Sequence, residues 1–350
     1  MKVTTHERPG VYSVYEASSL ISGVSGAKWV GLAAICTTGT AGTVYELSDY
    51  KQAVEQFGSN QELTELVRLL FLNGAAGVSA VPVQDEDGYA AAFAALEALE
   101  GIAIVVCDST TVAVQQALRD SVTTASDARR ERIGVVAGAA GETVSQLMER
   151  AAELNSNRMV LIAPEVVDGD GNTLSGARAA AAVAGVIAGE SDPAVPLGGA
   201  QIKGLSGLSK RYTDAEVDTL VRGGVTALES IAGIISVVRG VTTCTTSGGV
   251  SDTTWRELNT ILAVDDVIPS IRDTLRAKFQ RAKNTEQSRG AIRSQVVLEL
   301  ENKLAREIIT GYDNVTVSAV EDNPTVCLVE FSFTVAHGLN QIWLSAHITV

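Results

Sequence analysis

The sequence predicts an α/β protein with a mostly parallel sheet, an added α+β region towards the C-terminus and extended arms at both ends. Three observations carry this. Short apolar runs alternate with helical stripes over roughly residues 25–190. After about residue 240 the order changes to helices first and strands last. Both ends have an extended pattern with no helical period.

The elements follow in order. Residues 1–24, ending in Pro9, Gly10, Val11, Tyr12 and Val14, read as an extended arm, because Pro-Gly punctuates and Val and Tyr favour strand. Residues 29–36 read as a buried strand. Leu63, Leu66, Val67, Leu70 and Phe71 recur at helical spacing, and Asn73-Gly74 stops that helix. Strands are expected at 78–83, 102–107, 133–137 and 159–163. Helices are expected between and after them at 90–99, 112–125, 143–154 and 177–187. This places an α/β body at 25–241.

Residues 242–249 are small and read as a linker. Helices are expected at 252–262, 265–283 and 288–310, the last carrying Ile292, Val296, Leu300, Leu304 and Ile308 in one stripe. Strands at 315–320 and 325–335 complete an α+β region at 242–337. Residues 338–350 then form a C-terminal strand arm. There Ile342, Leu344, Ala346 and Ile348 alternate strictly with Trp343, Ser345, His347 and Thr349. A lone strand leaves its amides and carbonyls unpaired. Two readings remain open for it: a closing strand of its own domain, or a strand donated to a neighbouring subunit.

Composition narrows the function classes. The 350 residues carry a net charge of −14, with a pI near 4.7, so nucleic acid and anionic membranes are expected to be repelled. The longest apolar stretch, 179–189, is too short to span a bilayer. The polar N-terminus has no signal-peptide core, which predicts folding in a reducing cytoplasm. Cys36, Cys107, Cys244 and Cys327 lie far apart without a CxxC pair and read as small buried hydrophobes, giving neither disulfides nor a zinc site.

Catalytic chemistry is scarce. The histidines are His6, His337 and His347, so residues 7–336 lack the commonest general base and metal ligand. The turn from Gly134 to Gly141 follows a strand and precedes a helix, but its glycine spacing lacks the tight G-x-G of dinucleotide sites. No P-loop motif occurs. Asp168-Gly169-Asp170-Gly171-Asn172 reads as a surface turn, because the closing glutamate of a calcium loop is missing. No catalytic residue, cofactor or metal is expected.

One basic cluster breaks the acidic background. Arg272, Arg276, Lys278, Arg281, Lys283, Arg289 and Arg293 face only Asp273 and Glu286 in the same stretch. It reads either as a solvated helix surface or as a docking face for an acidic partner.

The motifs Glu7-Arg8-Pro9-Gly10-Val11-Tyr12, Tyr45 to Tyr50 with Phe57-Gly58, Val67 to Ala75, Leu220 to Leu228 and Val238 to Thr243 resemble, in that order, contractile phage tail sheath proteins. Related sheaths occur in phage-tail-like bacteriocins and contractile injection systems. The resemblance implies a non-enzymatic subunit that polymerises with itself as stacked hexameric rings around a tail tube, between baseplate and terminator proteins. Contraction would drive the tube through a target envelope. It implies a place in a virion tail or tail-like particle, assembled in the bacterial cytoplasm and released from it. It further implies that both arms cross to neighbours and that Arg272, Arg276, Lys278, Arg281 and Lys283 face the tube. The competing readings are a soluble α/β nucleotide-binding enzyme and another self-assembling shell or surface-layer protein.

Overall fold

The computed structural model describes residues 28–321 and 323–340. The residues named above in the N-terminal arm, and those from Ile342 onward, lie outside them.

The body contains β1 (Trp29–Ile35), β2 (Tyr45–Leu47), α1 (Tyr50–Phe57), α2 (Glu62–Asn73), β3 (Gly77–Val83), α3 (Tyr89–Glu97), β4 (Ile102–Cys107), α4 (Val112–Asp127) and β5 (Ile133–Ala137). It continues through α5 (Val144–Leu154), β6 (Met159–Ala163), β7 (Val166–Val167), α6 (Ala177–Gly189), β8 (Gln201–Ile202), β9 (Gly207–Leu208), α7 (Asp214–Arg222), β10 (Val225–Ile231) and β11 (Ile234–Val237). The sheet has nine strands in the order β2-β3-β1-β4-β5-β6-β10-β11-β8. The six from β3 to β10 are parallel, while β2, β11 and β8 pair antiparallel at the margins.

The period-2 pattern divides the core. Val30, Leu32 and Ala34 of β1, with Ile104 and Val106 of β4, face α1, α2 and α6. Ala33, Val105 and Cys107 point to the other face, towards α3, α4, α5 and α7. Pro82 pairs alongside Ala34 of β1 and is tolerated in β3 because β2, on the other side, pairs only with residues 78–80.

After Arg178, which pairs with Glu62, α6 is apolar because it is largely buried between α2 and the sheet. Its glycines let α2 approach closely: a β-carbon on Gly185 would lie 2.7 Å from the Leu70 carbonyl oxygen. At the end of α2, Gly74 adopts φ +123° and meets Gly189, so here the left-handed backbone and the lack of space both require glycine.

Beyond the short hairpin of β12 (Thr246–Ser247) and β13 (Val250–Ser251) come α8 (Leu258–Phe279), α9 (Glu286–Ala305), β14 (Ile309–Val320) and β15 (Asn323–Val335). Three local expectations change. The two helices expected at 252–262 and 265–283 are one, α8, which runs through Pro269. Its first turns place Leu258 and Ile261 in the body core, and its next turns place Ala263, Val267 and Ile271 in a separate core with Val296, Leu300 and Val315. One continuous apolar stripe thus serves two cores. α9 ends at Ala305, not 310, because Glu307 turns at φ +59°. Ile308 is buried from outside the helix.

The small-residue stretch at 242–249 is not a free linker over its first half. Thr242, Thr243 and Cys244 are buried. The Thr243 amide donates to the Met159 carbonyl at 2.8 Å, and the Asn155 side-chain oxygen accepts from the Thr245 amide at 3.1 Å. Threonine hydroxyls supply the remaining partners, as Thr242 does to the Trp255 carbonyl at 2.7 Å.

Candidate assembly surface

β14 and β15 form a two-stranded antiparallel sheet. Val329, Phe331, Phe333 and Val335 pack inward on the core that α8 and α9 supply. The other face is exposed, and near the hairpin tip it presents Val326 and Leu328, 41% and 45% exposed. A sheet of two strands has an unpaired backbone ladder on each outer edge among the described residues, which is the geometry that accepts further strands.

The basic cluster divides into two parts. Arg272 belongs to the chain's own interior seam, since its guanidinium pairs with Glu131 and also donates to the Arg129 carbonyl at 3.3 Å. Burial alone would raise the Glu131 carboxyl. Hydrogen bonding to Arg272 and to its own backbone, with the charges of Arg272 and Arg158, holds it below its ordinary value. Arg276, Lys278, Arg281 and Lys283 instead lie exposed on the last turn of α8 and the turn after it. Lys278 donates to the Gln295 side chain at 2.6 Å. None of these four has a carboxylate ion-pair partner among the described residues.

Sequence reasoning missed what holds this region to the body. Arg158, just ahead of β6, pairs with Asp265 of α8 at 2.5 Å, while Lys303 of α9 pairs with Asp266 at 2.5 Å and ties the two C-terminal helices to each other. Burial raises the Asp265 carboxyl, and the hydrogen bond and charge of Arg158 oppose that without cancelling it. The partners of the first pair lie 107 positions apart. The local signal is two adjacent aspartates between Val264 and Val267, in the apolar first half of α8.

The crevice at the carboxyl ends of β5 and β6 is filled by the chain's own acids. Glu142 accepts from the Ala139 amide at 3.1 Å, and Glu165 accepts from the Gly141 amide. Glu142 is gripped in turn by Arg150, which also donates to the Thr110 carbonyl at 2.7 Å. The amides of this glycine-rich turn, which a phosphate would need, are therefore occupied by carboxylates. The Asp168 carboxylate folds back onto its own turn, accepting from the Asp170 and Asn172 amides at 2.9 and 2.8 Å. Cys36, Cys107 and Cys244 are buried thiols, and Cys327 is half-buried. Among the described residues, no group of three His, Cys, Asp or Glu is arranged to hold a metal, and no helix is long and apolar enough to cross a membrane.

Two family profiles match in tandem, the phage tail sheath protein central domain over residues 84–243 and the phage tail sheath C-terminal domain over residues 250–349. The chain belongs to the phage tail sheath family. It is 30% identical over 220 residues to the tail sheath protein of Bacillus phage SP01, a match covering 61% of this chain and 37% of that relative's length. The fold is that of solved sheath proteins. The sheath tail protein from Desulfitobacterium hafniense superposes with a TM-score of 0.74 at 13% identity, covering 97% of this chain and all of that one. The helical sheath of the anti-feeding prophage in its contracted state gives 0.74 at 17% identity, covering 98% and 99%. An anti-feeding prophage baseplate chain gives 0.78 at 16% identity, covering 99% of this sheath-family chain and all of its counterpart.

Proposed function

We propose that this chain is a structural subunit of a contractile tail sheath, polymerising as stacked rings around a tail tube and shortening to drive the tube through a target envelope. The observation that carries the reading is the β14–β15 hairpin, a packed two-stranded sheet with both edges open among the described residues, its helices tied to the body by the Arg158–Asp265 ion pair. Residues 9–14 and 342–348 are the strands that would complete it. Pro9, Gly10, Val11, Tyr12 and Val14 come from one neighbour, and Ile342, Leu344, Ala346 and Ile348 from another. Added strands keep the mesh continuous while bodies repack.

Arg276, Lys278, Arg281 and Lys283 then face an acidic tube, and Arg272 stays within the subunit. The baseplate and the tail terminator bound the polymer at its two ends, in a virion tail or tail-like particle assembled in the bacterial cytoplasm. The chain acts mechanically and not as an enzyme. A nucleotide-binding reading would need the turn amides that Glu142 and Glu165 occupy.

Negative-stain electron microscopy of the purified chain, beside one truncated after Asn340, tests the reading. Hollow tubes from the full chain and unassembled particles from the truncated one are expected. Discrete particles from both at high concentration would overturn it.

A further inference from the structure

Both ends of the described chain border the same short loop. Residues 190–200 join α6 to β8 and contain Pro193 and Pro196. The loop is pinned where it starts, with the Glu190 amide on the Val186 carbonyl at 3.1 Å and the Ala194 amide on the Asp192 carboxylate at 2.9 Å. It is pinned again where it ends, with Gly199 donating to the Val237 carbonyl at 2.7 Å and Val237 donating to the Ala200 carbonyl at 3.0 Å. Leu197 packs on the body core, and a β-carbon on Gly240 would come within 2.8 Å of it. Two fixed φ angles between such anchors make a stiff segment.

Lys28, the first described residue, donates its amide to the Ala188 carbonyl at 3.0 Å and lines a cleft with Pro193 and Val195. At the other end His337, Gly338 and Leu339 share a groove with Ala194, Val195 and Pro196. Gly338 makes the closest approach. A β-carbon there would lie 2.6 Å from Cβ and 3.1 Å from Cγ of Pro196. Its backbone is outside the left-handed region, so the requirement for glycine is one of space alone.

We propose that the Pro193–Pro196 loop is the common seat of both terminal segments, with the Gly338–Pro196 contact setting the direction in which residues beyond Asn340 leave the subunit. This rests on the reading that those segments cross to neighbours. A pull on either segment is then passed to the other through a few stiff residues fastened to β11.

Gly338→Ala tests this, with Pro196→Gly/Gly338→Ala as its partner, since the second change removes the atoms the new methyl would strike. The single variant should stay folded, with its melt lowered by no more than a few degrees, yet give roughly tenfold less tube, the change that about 1.4 kcal/mol of strain per subunit produces. The double variant should recover much of the loss. Hydrogen exchange on unassembled chains gives a readout independent of tubes: Gly338→Ala should speed exchange at the Ala336 amide, which donates to Ile308. A single variant that assembles and exchanges like the parent, or a folded double variant no better than the single, would overturn the proposal. Absence of tubes from the parent chain would instead count against the sheath reading, and the exchange result would still decide the seat.

Discussion

Arg158 and Asp265 hold each other across the seam between the α/β body and the C-terminal helices, at 2.5 Å and with side chains only 14% and 15% exposed. The bond matters because α8 enters both cores, so its position fixes the hairpin relative to the body. Arg158→Ala strands the aspartate in a site where burial already raises its carboxyl. The expected destabilisation is on the order of 3 kcal/mol. Arg158→Ala/Asp265→Asn should cost less than the sum of the single changes, because removing the stranded charge relieves part of the penalty. Urea melts of the four chains check this, and strict additivity would deny the coupling.

Gly185 makes a second prediction, where two effects oppose each other. Alanine would gain about 1 kcal/mol of helix propensity in α6. Its methyl would meet the Leu70 carbonyl oxygen at 2.7 Å and the Asn73 β-carbon at 2.8 Å, and overpacking of this kind costs about 1–3 kcal/mol. Since one contact is backbone and the helices are clamped, Gly185→Ala should lower the urea midpoint without changing the slope. An unchanged or raised midpoint would show that α2 yields.

A pH prediction comes from the start of α7. The Thr213 amide hydrogen-bonds the Glu216 carboxylate, Lys210 pairs with it and the Thr213 hydroxyl adds a third donor, holding its pKa at about 2 against an ordinary 4.5. The folded value lies below the unfolded one, so protonation favours unfolding. This contribution is complete above pH 4.5 and is lost as pH falls towards about 2. Glu216→Gln should flatten that part of the acid stability profile and leave its slope above pH 5 unchanged. An identical acid limb in both chains would remove Glu216 from the account.

Charge reversal tests the outer basic group. Arg276, Lys278 and Arg281 are exposed and unpaired with carboxylates among the described residues. Reversing all three to glutamate should therefore leave folding nearly intact, as surface changes usually do. Co-sedimentation with preformed tube polymer should fall sharply, most visibly at low salt, where screening is weakest. Undiminished binding would place the tube contact elsewhere.

The body was legible in sequence because each buried strand is a short apolar run and each helix a stripe, and both patterns are local. Ile102–Cys107, Ile133–Ala137 and Met159–Ala163 match to the residue. The sequence misled where long-range packing decides. Residues 263–264 read as a gap between two helices, yet α8 continues because two cores claim successive turns of one stripe. Thr242 to Cys244 look like a flexible linker, but their hydroxyls and amides find partners around Asn155 and Met159. Arg272 looked like its basic neighbours, since nothing near it in sequence announces Glu131, 141 positions away. The open hairpin edges were foreshadowed only by the alternating pattern of Ile342 to Ile348, a lone strand that needs a sheet to join.

The most direct test of the central claim is a helical reconstruction of the assembled tubes at a resolution that traces backbone. The account predicts continuous density from Asn340 of one subunit to the β14–β15 hairpin of another, forming a sheet of more than two strands there. Residues 342–348 paired with the hairpin of their own subunit, in tubes held by other contacts, would contradict it.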